Sequence, residues 1–109
     1  MRSPSNSAPP NAARGELSLI VGGQQLTLRP TFAALVAAEE ELGSLFALVD
    51  RASEGQLRLA EIAALFWHCC EGREAIARED VGEAVMAMGL AAASTPLRAL
   101  LKQILQGRL

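Results

Sequence analysis

Residues 15–43 read GELSLIVGGQQLTLRPTFAALVAAEEELG, and they decide the fold, because they specify a β-hairpin that runs straight into a helix. Both central positions of a type I′ turn need positive φ, which Gly22 and Gly23 supply at no steric cost. That turn sets the register: Leu17 faces Leu28, Leu19 faces Leu26, Ser18 faces Thr27, and Glu16 faces Arg29. One face is then apolar, while the other carries a hydroxyl pair and an opposite-charge pair. A slip of one residue would undo every match. A hairpin alone is marginal in water and has two open edges, so it needs cover or a partner.

Downstream of Pro30 the period changes from two to helical. Thr31 is placed to cap a helix whose large apolar positions are Phe32, Leu35, Val36 and Leu42, with Gly43 as its stop. Ser44 caps a short second helix bearing Leu45, Phe46, Leu48 and Val49 and closed by Gly55. A third carries Leu59, Ile62, Leu65, Phe66 and Cys69 on one stripe and ends near Gly72. Around Ala77, which has no capping side chain, Ile76 and Val81 form a hydrophobic staple, and Glu79 and Asp80 complement the dipole of a fourth helix. Its stripe of Val81, Ala84, Val85 and Met88 leads to Gly89, a natural stop or kink. The last helix is expected to start with Thr95 as cap and Pro96 at its first position, then to carry Leu97, Leu100, Leu101, Ile104 and Leu105. The expected class is α+β: an N-terminal two-stranded antiparallel hairpin followed by four to five short helices, mostly helical. Residues 15–109 form a single domain behind an N-terminal arm, residues 1–14, whose Pro/Ser/Asn content reads as disordered.

Composition narrows the function classes. A chain of 109 residues with three Phe, one Trp and no Tyr has an aliphatic core of single-domain size. A formal charge of −2 gives no basic footprint for nucleic acid. No apolar run approaches the roughly 20 residues that span a bilayer, and the N-terminus lacks the apolar segment of a secretory signal. Cys69 and Cys70 are adjacent, so they cannot staple distant parts of the fold, which fits a reducing cytoplasm.

Few residues suggest chemistry. Glu39, Glu40 and Glu41 sit at the negative end of the first helix dipole, an unfavourable place for carboxylates. Helical geometry puts Glu39 between Leu35 and Leu42, on the buried stripe, with Arg51, Arg58 and Arg29 as candidate cations, and turns Glu40 and Glu41 outward. His68 points away from the Ile62, Phe66, Cys69 stripe and reads as exposed and idle, without the nucleophile and orienting group that base catalysis needs. His68, Cys69 and Cys70 are consecutive, roughly 100° apart on a helix, which is not zinc-ligand spacing. Gly22-Gly23 lacks the Lys-Ser/Thr of a phosphate loop. Trp67, at the margin of its stripe, is either core closure or an exposed anchor for another chain. No catalytic, cofactor or metal site is expected. The candidate partner-binding residues are the outward hairpin positions Glu16, Ser18, Ile20, Gln25, Thr27 and Arg29, the acidic Glu39, Glu40 and Glu41, and Trp67.

The order G-E-x-x-L, glycine turn, L-x-L-R-x-T, A-L-x-x-x-E-x-x-L-G is carried here by Gly15-Glu16, Gly22-Gly23, Leu26, Leu28-Arg29, Thr31, Ala34-Leu35, Glu39 and Leu42-Gly43. It resembles the gene transfer agent family of small tail-region proteins, grouped with phage tail assembly chaperones. The later E-D-V-G start at Glu79 and the Leu-rich terminal helix look similar too, so the likeness covers residues 15–109. The resemblance implies a non-enzymatic accessory protein encoded among tail genes. On this expectation it is an assembly chaperone that keeps the tape-measure protein soluble or helps the tail-tube protein polymerise. The alternative is a structural part of the tail tube or tip, self-associating through the hairpin edges and retained in phage-like particles. An unassigned helical adaptor or regulator is the weaker alternative.

Overall fold

The computed structural model describes residues 17–107. Strands β1 (Leu17–Val21) and β2 (Gln24–Leu28) form an antiparallel hairpin in the expected register, Leu17 opposite Leu28 and Ser18 opposite Thr27. Gly22 and Gly23 take φ of 58° and 81°, as the two-residue turn requires. Five helices follow: α1 (Phe32–Leu42), α2 (Leu45–Ser53), α3 (Leu59–Cys69), α4 (Arg78–Met88) and α5 (Leu90–Gln106), with a 3₁₀ turn at Arg73–Ala75 before α4. The disordered-arm expectation for residues 1–14 and the Glu16–Arg29 pair lie outside the described residues.

The hairpin turns Leu19 and Val21 of β1 onto α4 and α5, Leu28 of β2 is buried in the same core, and α3 runs between α1 and α4. Phe66 of α3 is fully buried against this apolar layer, together with Leu65, Val81, Val85 and Leu100. Burying side chains of this size contributes about 1.5–3 kcal/mol each, which makes α3 the keystone of the core. Capping follows the sequence where a hydroxyl is available: Thr31 Oγ1 accepts from Ala34 N and Ser44 Oγ from Ala47 N. Ala77 caps α4 with no side-chain bond, and its Ile76 and Val81 flanks are packed into the core as the staple requires.

Three expectations about the helices need correction. First, α5 begins at Leu90 and passes through Thr95 and Pro96 rather than starting there. Leu90-Ala-Ala-Ala is helix-favouring, and Ala93 lies one turn before Leu97 on the same buried stripe, so core packing carries the helix back past the proline. Gly89, with φ 89°, ends α4 and begins α5 across a 117° bend. No single described helix is long and apolar enough to cross a membrane.

Second, α1 buries Ala34 and Ala38, not its largest side chains: Phe32 is 84% exposed and Val36 38%. Small residues let α1 lie close on α3, and that choice rotates the whole helix. Leu35 and Leu42 are half-buried at the flank. Third, α3 is buried almost all round, with Ala64 and His68 as covered as Ile62 and Cys69. A helix apolar on every side is a core helix, and LAEIAALFWHC is such a sequence.

Candidate protein–protein interface

A two-residue loop makes Val21–Gln24 a hydrogen-bonded pair, and alternation along the ladder then turns the backbone N–H and C=O of Ser18 and Ile20 outward on β1 and those of Gln25 and Thr27 outward on β2. The β2 side is not fully open. Glu71 N donates to the outward carbonyl of Thr27 at 2.9 Å, and Arg29 N donates to Cys69 O at 2.7 Å. Leu28 and Cys70 thus form an antiparallel bridge, and the segment leaving α3 becomes a one-residue third strand. An ion pair between Arg29 and Glu71 reinforces it. The expectation of two open edges is therefore corrected: the chain closes β2 with its own Cys70, and no described backbone group bonds to the outward groups of Ser18 and Ile20 on β1. Ile20 projects there with 58% of its surface in water.

The side chains of the hairpin's outer face are sorted by this edge. Ser18 and Thr27 are half-buried, and Gln25 is exposed beside the turn. Glu16 falls outside the described residues.

The acidic cluster is divided differently from the sequence expectation. Glu41, not Glu39, lies on the helix face that Ala34 and Ala38 turn inward, at i+7 and i+3 from them, with 36% of its side chain still exposed. Its carboxylate accepts from Arg78 Nη1 at 2.5 Å and Nη2 at 2.6 Å, and lies 2.8 Å from His68 Nε2. Glu39 is exposed on the flank of α1, where it accepts Leu45 N at 3.1 Å and so caps the start of α2 across the Gly43 turn. None of its candidate cations reaches it. Arg51 bonds Glu61 at 2.8 Å, the Arg58 backbone N–H donates to the same Glu61 oxygen, and Arg29 is paired with Glu71. Glu40 is exposed as well.

His68 is likewise corrected, from exposed to 7% exposed. Its Nε2 lies 2.8 Å from Glu41 Oε1, and its buried Nδ1 has no hydrogen-bond partner among the described residues. Trp67 packs half-buried against the core and donates from Nε1 to Ile76 O at 2.7 Å. The Arg78 guanidinium stacks 4.6 Å from the Trp67 ring centroid, and the His68 ring meets Trp67 edge-on. Trp67 is thus packed on the core with part of its surface still exposed. Arg73 completes the assembly by donating to His68 O at 2.8 Å, which satisfies a carbonyl at the end of α3.

This cluster ties α1, α3 and the start of α4 together. The Arg78 and His68 hydrogen bonds hold the Glu41 carboxyl down at about 2, so it stays ionised under all ordinary conditions. Such a group holds elements in place; it has no proton to exchange near neutrality. Burial pushes the thiols of Cys69 and Cys70 up to about 12 and about 11, the opposite of what a nucleophilic cysteine needs. Among the described residues no three His, Cys, Asp or Glu side chains converge as metal ligands.

Hairpin, helices and internal ties define a small α+β fold in which no described backbone group closes the β1 edge. Its residues 14–107 match the family described as phage tail tube protein, GTA-gp10, and the chain belongs to that family. The resemblance carried by the hairpin and the helix after it holds at the level of gene transfer agent and phage tail proteins, and the family's description names a tube protein rather than a chaperone. Comparison with curated proteins finds no match, and comparison with solved structures finds none.

Proposed function

We propose that this chain is a non-enzymatic structural component of a phage-like tail, built into the particle through contacts with neighbouring tail subunits. Membership of a tail tube family supports this reading over the assembly-chaperone role. The observation that carries the mechanism is the asymmetry of the hairpin. β2 is occupied by the Cys70 bridge, whereas β1 offers the outward backbone groups of Ser18 and Ile20 beside an exposed isoleucine. A strand from a neighbouring subunit adds to such an edge through main-chain hydrogen bonds, with Ile20 and Ser18 as the side chains it meets. The helices hold the hairpin rigid, so the edge is offered in a fixed direction, as repeated assembly requires.

Mass spectrometry of purified particles tests the reading. A structural component stays in the particle in multiple copies. Its absence from particles whose assembly nevertheless depends on it would restore the chaperone reading.

A further inference from the structure

Between α2 and α5 lies an apolar groove of about 750 Å³ that no described element fills. Ile62, Leu97 and Leu101 form its floor, Leu105 stands 51% exposed at its rim, and Arg98 and Lys102 line one wall. Those two cations sit one turn apart on α5, both exposed, and no described carboxylate pairs with either. Outside the groove lining, α1 presents the inverse of this surface. Because Ala34 and Ala38 face inward, Phe32 and Val36 form an outward ridge, and Glu40 continues it at i+4 from Val36 with its carboxylate in water.

We infer that the α1 ridge of one copy of this chain seats in the α2–α5 groove of the next, Phe32 and Val36 on the apolar floor and Glu40 against Arg98 and Lys102. The groove is large enough for several side chains of a docked helix, and an apolar ridge ending in a carboxylate matches an apolar floor walled by cations. Groove and ridge share no residue, so a single contact leaves a free ridge on one copy and a free groove on the other, and head-to-tail repetition builds a ring or a filament. The inference rests on the structural reading above and adds a second contact, independent of the β1 edge.

Sedimentation of the full chain tests it. The wild type is expected to form concentration-dependent oligomers. Phe32→Glu and Leu105→Glu each alter an exposed residue, and each is expected to weaken association roughly tenfold or more. Mixing the two variants is the decisive step, since the first keeps its groove and the second its ridge: 1:1 dimers and nothing larger are expected. Glu40→Lys and Lys102→Glu should each weaken assembly, and their combination in one chain should restore it. A wild type that is monomeric at every concentration overturns the inference. So does an oligomer that survives Phe32→Glu yet is lost in Ile20→Pro, a result that leaves the β1 edge and the tail reading intact.

Discussion

Glu41 of α1 is fastened to Arg78 of α4 through both guanidinium nitrogens, at 2.5 and 2.6 Å, across 37 residues of chain. The fork geometry gives two charge-assisted hydrogen bonds between α1 and α4, and the same guanidinium stacks on the Trp67 ring. Glu41 retains 36% side-chain exposure, so water screens part of the attraction. Glu41→Gln is expected to cost about 1 kcal/mol, which lowers the thermal midpoint of a domain this size by about 4–8 °C. Differential scanning calorimetry of the variant reads this directly.

The same tie makes stability acid-sensitive. The Glu41 carboxyl is held at about 2 in the fold against an ordinary 4.5, through Arg78 first and His68 second. Glu61 is lowered in the same direction by Arg51 and by the Arg58 backbone. The unfolded chain therefore binds more protons between those values, so the contribution is complete above about pH 4.5 and is lost as pH falls toward 2. Urea midpoints should decline through that window, and Glu41→Gln should flatten the decline.

The orientation of α1 separates two substitutions that size alone would rank the other way. Phe32→Ser, at a site 84% exposed, should change stability by less than about 0.5 kcal/mol. Ala38→Leu, at a site with no exposure, forces α1 off α3 and should cost about 1–3 kcal/mol. Chemical denaturation of both variants decides between this packing and one that buries the phenylalanine.

Cys69 and Cys70 are free thiols held in the core. With their ionisation pushed up to about 12 and about 11, the native protein should react slowly with a thiol-specific reagent at pH 8, and both thiols should titrate at once in denaturant. Fast reaction of the native chain would mean that the bridge from Cys70 to Leu28 opens readily.

What could be read from the sequence was local. The hairpin register follows from Gly22-Gly23 and a period of two, and the Thr31 and Ser44 caps follow from one hydroxyl each. What could not be read depends on which elements meet. The residues of α1 are apolar on more than one side, so local pattern did not distinguish a stripe of large residues from Ala34–Ala38, and choosing the larger set put Glu39 where Glu41 belongs. A single apolar stripe on α3 leaves His68 to solvent, whereas the fold covers that side too; LAEIAALFWHC, apolar nearly all round, carries the signal. The Cys70 bridge to Leu28 had no local signal, since it joins residues 42 positions apart. Pro96 reads as a helix start by rule, but burial of Ala93 and Leu97 on one stripe outweighs the bond it removes.

In the proposed tail, β1 is the edge on which neighbouring subunits build. Hydrogen exchange of the Ser18 and Ile20 amides, compared between the free protein and the assembled particle, tests it most directly. Their outward N–H groups should exchange rapidly in the free chain and slowly after assembly, while the ladder amides of Leu19 and Val21 are slow in both. Fast exchange at Ser18 and Ile20 in the assembled particle would contradict the account.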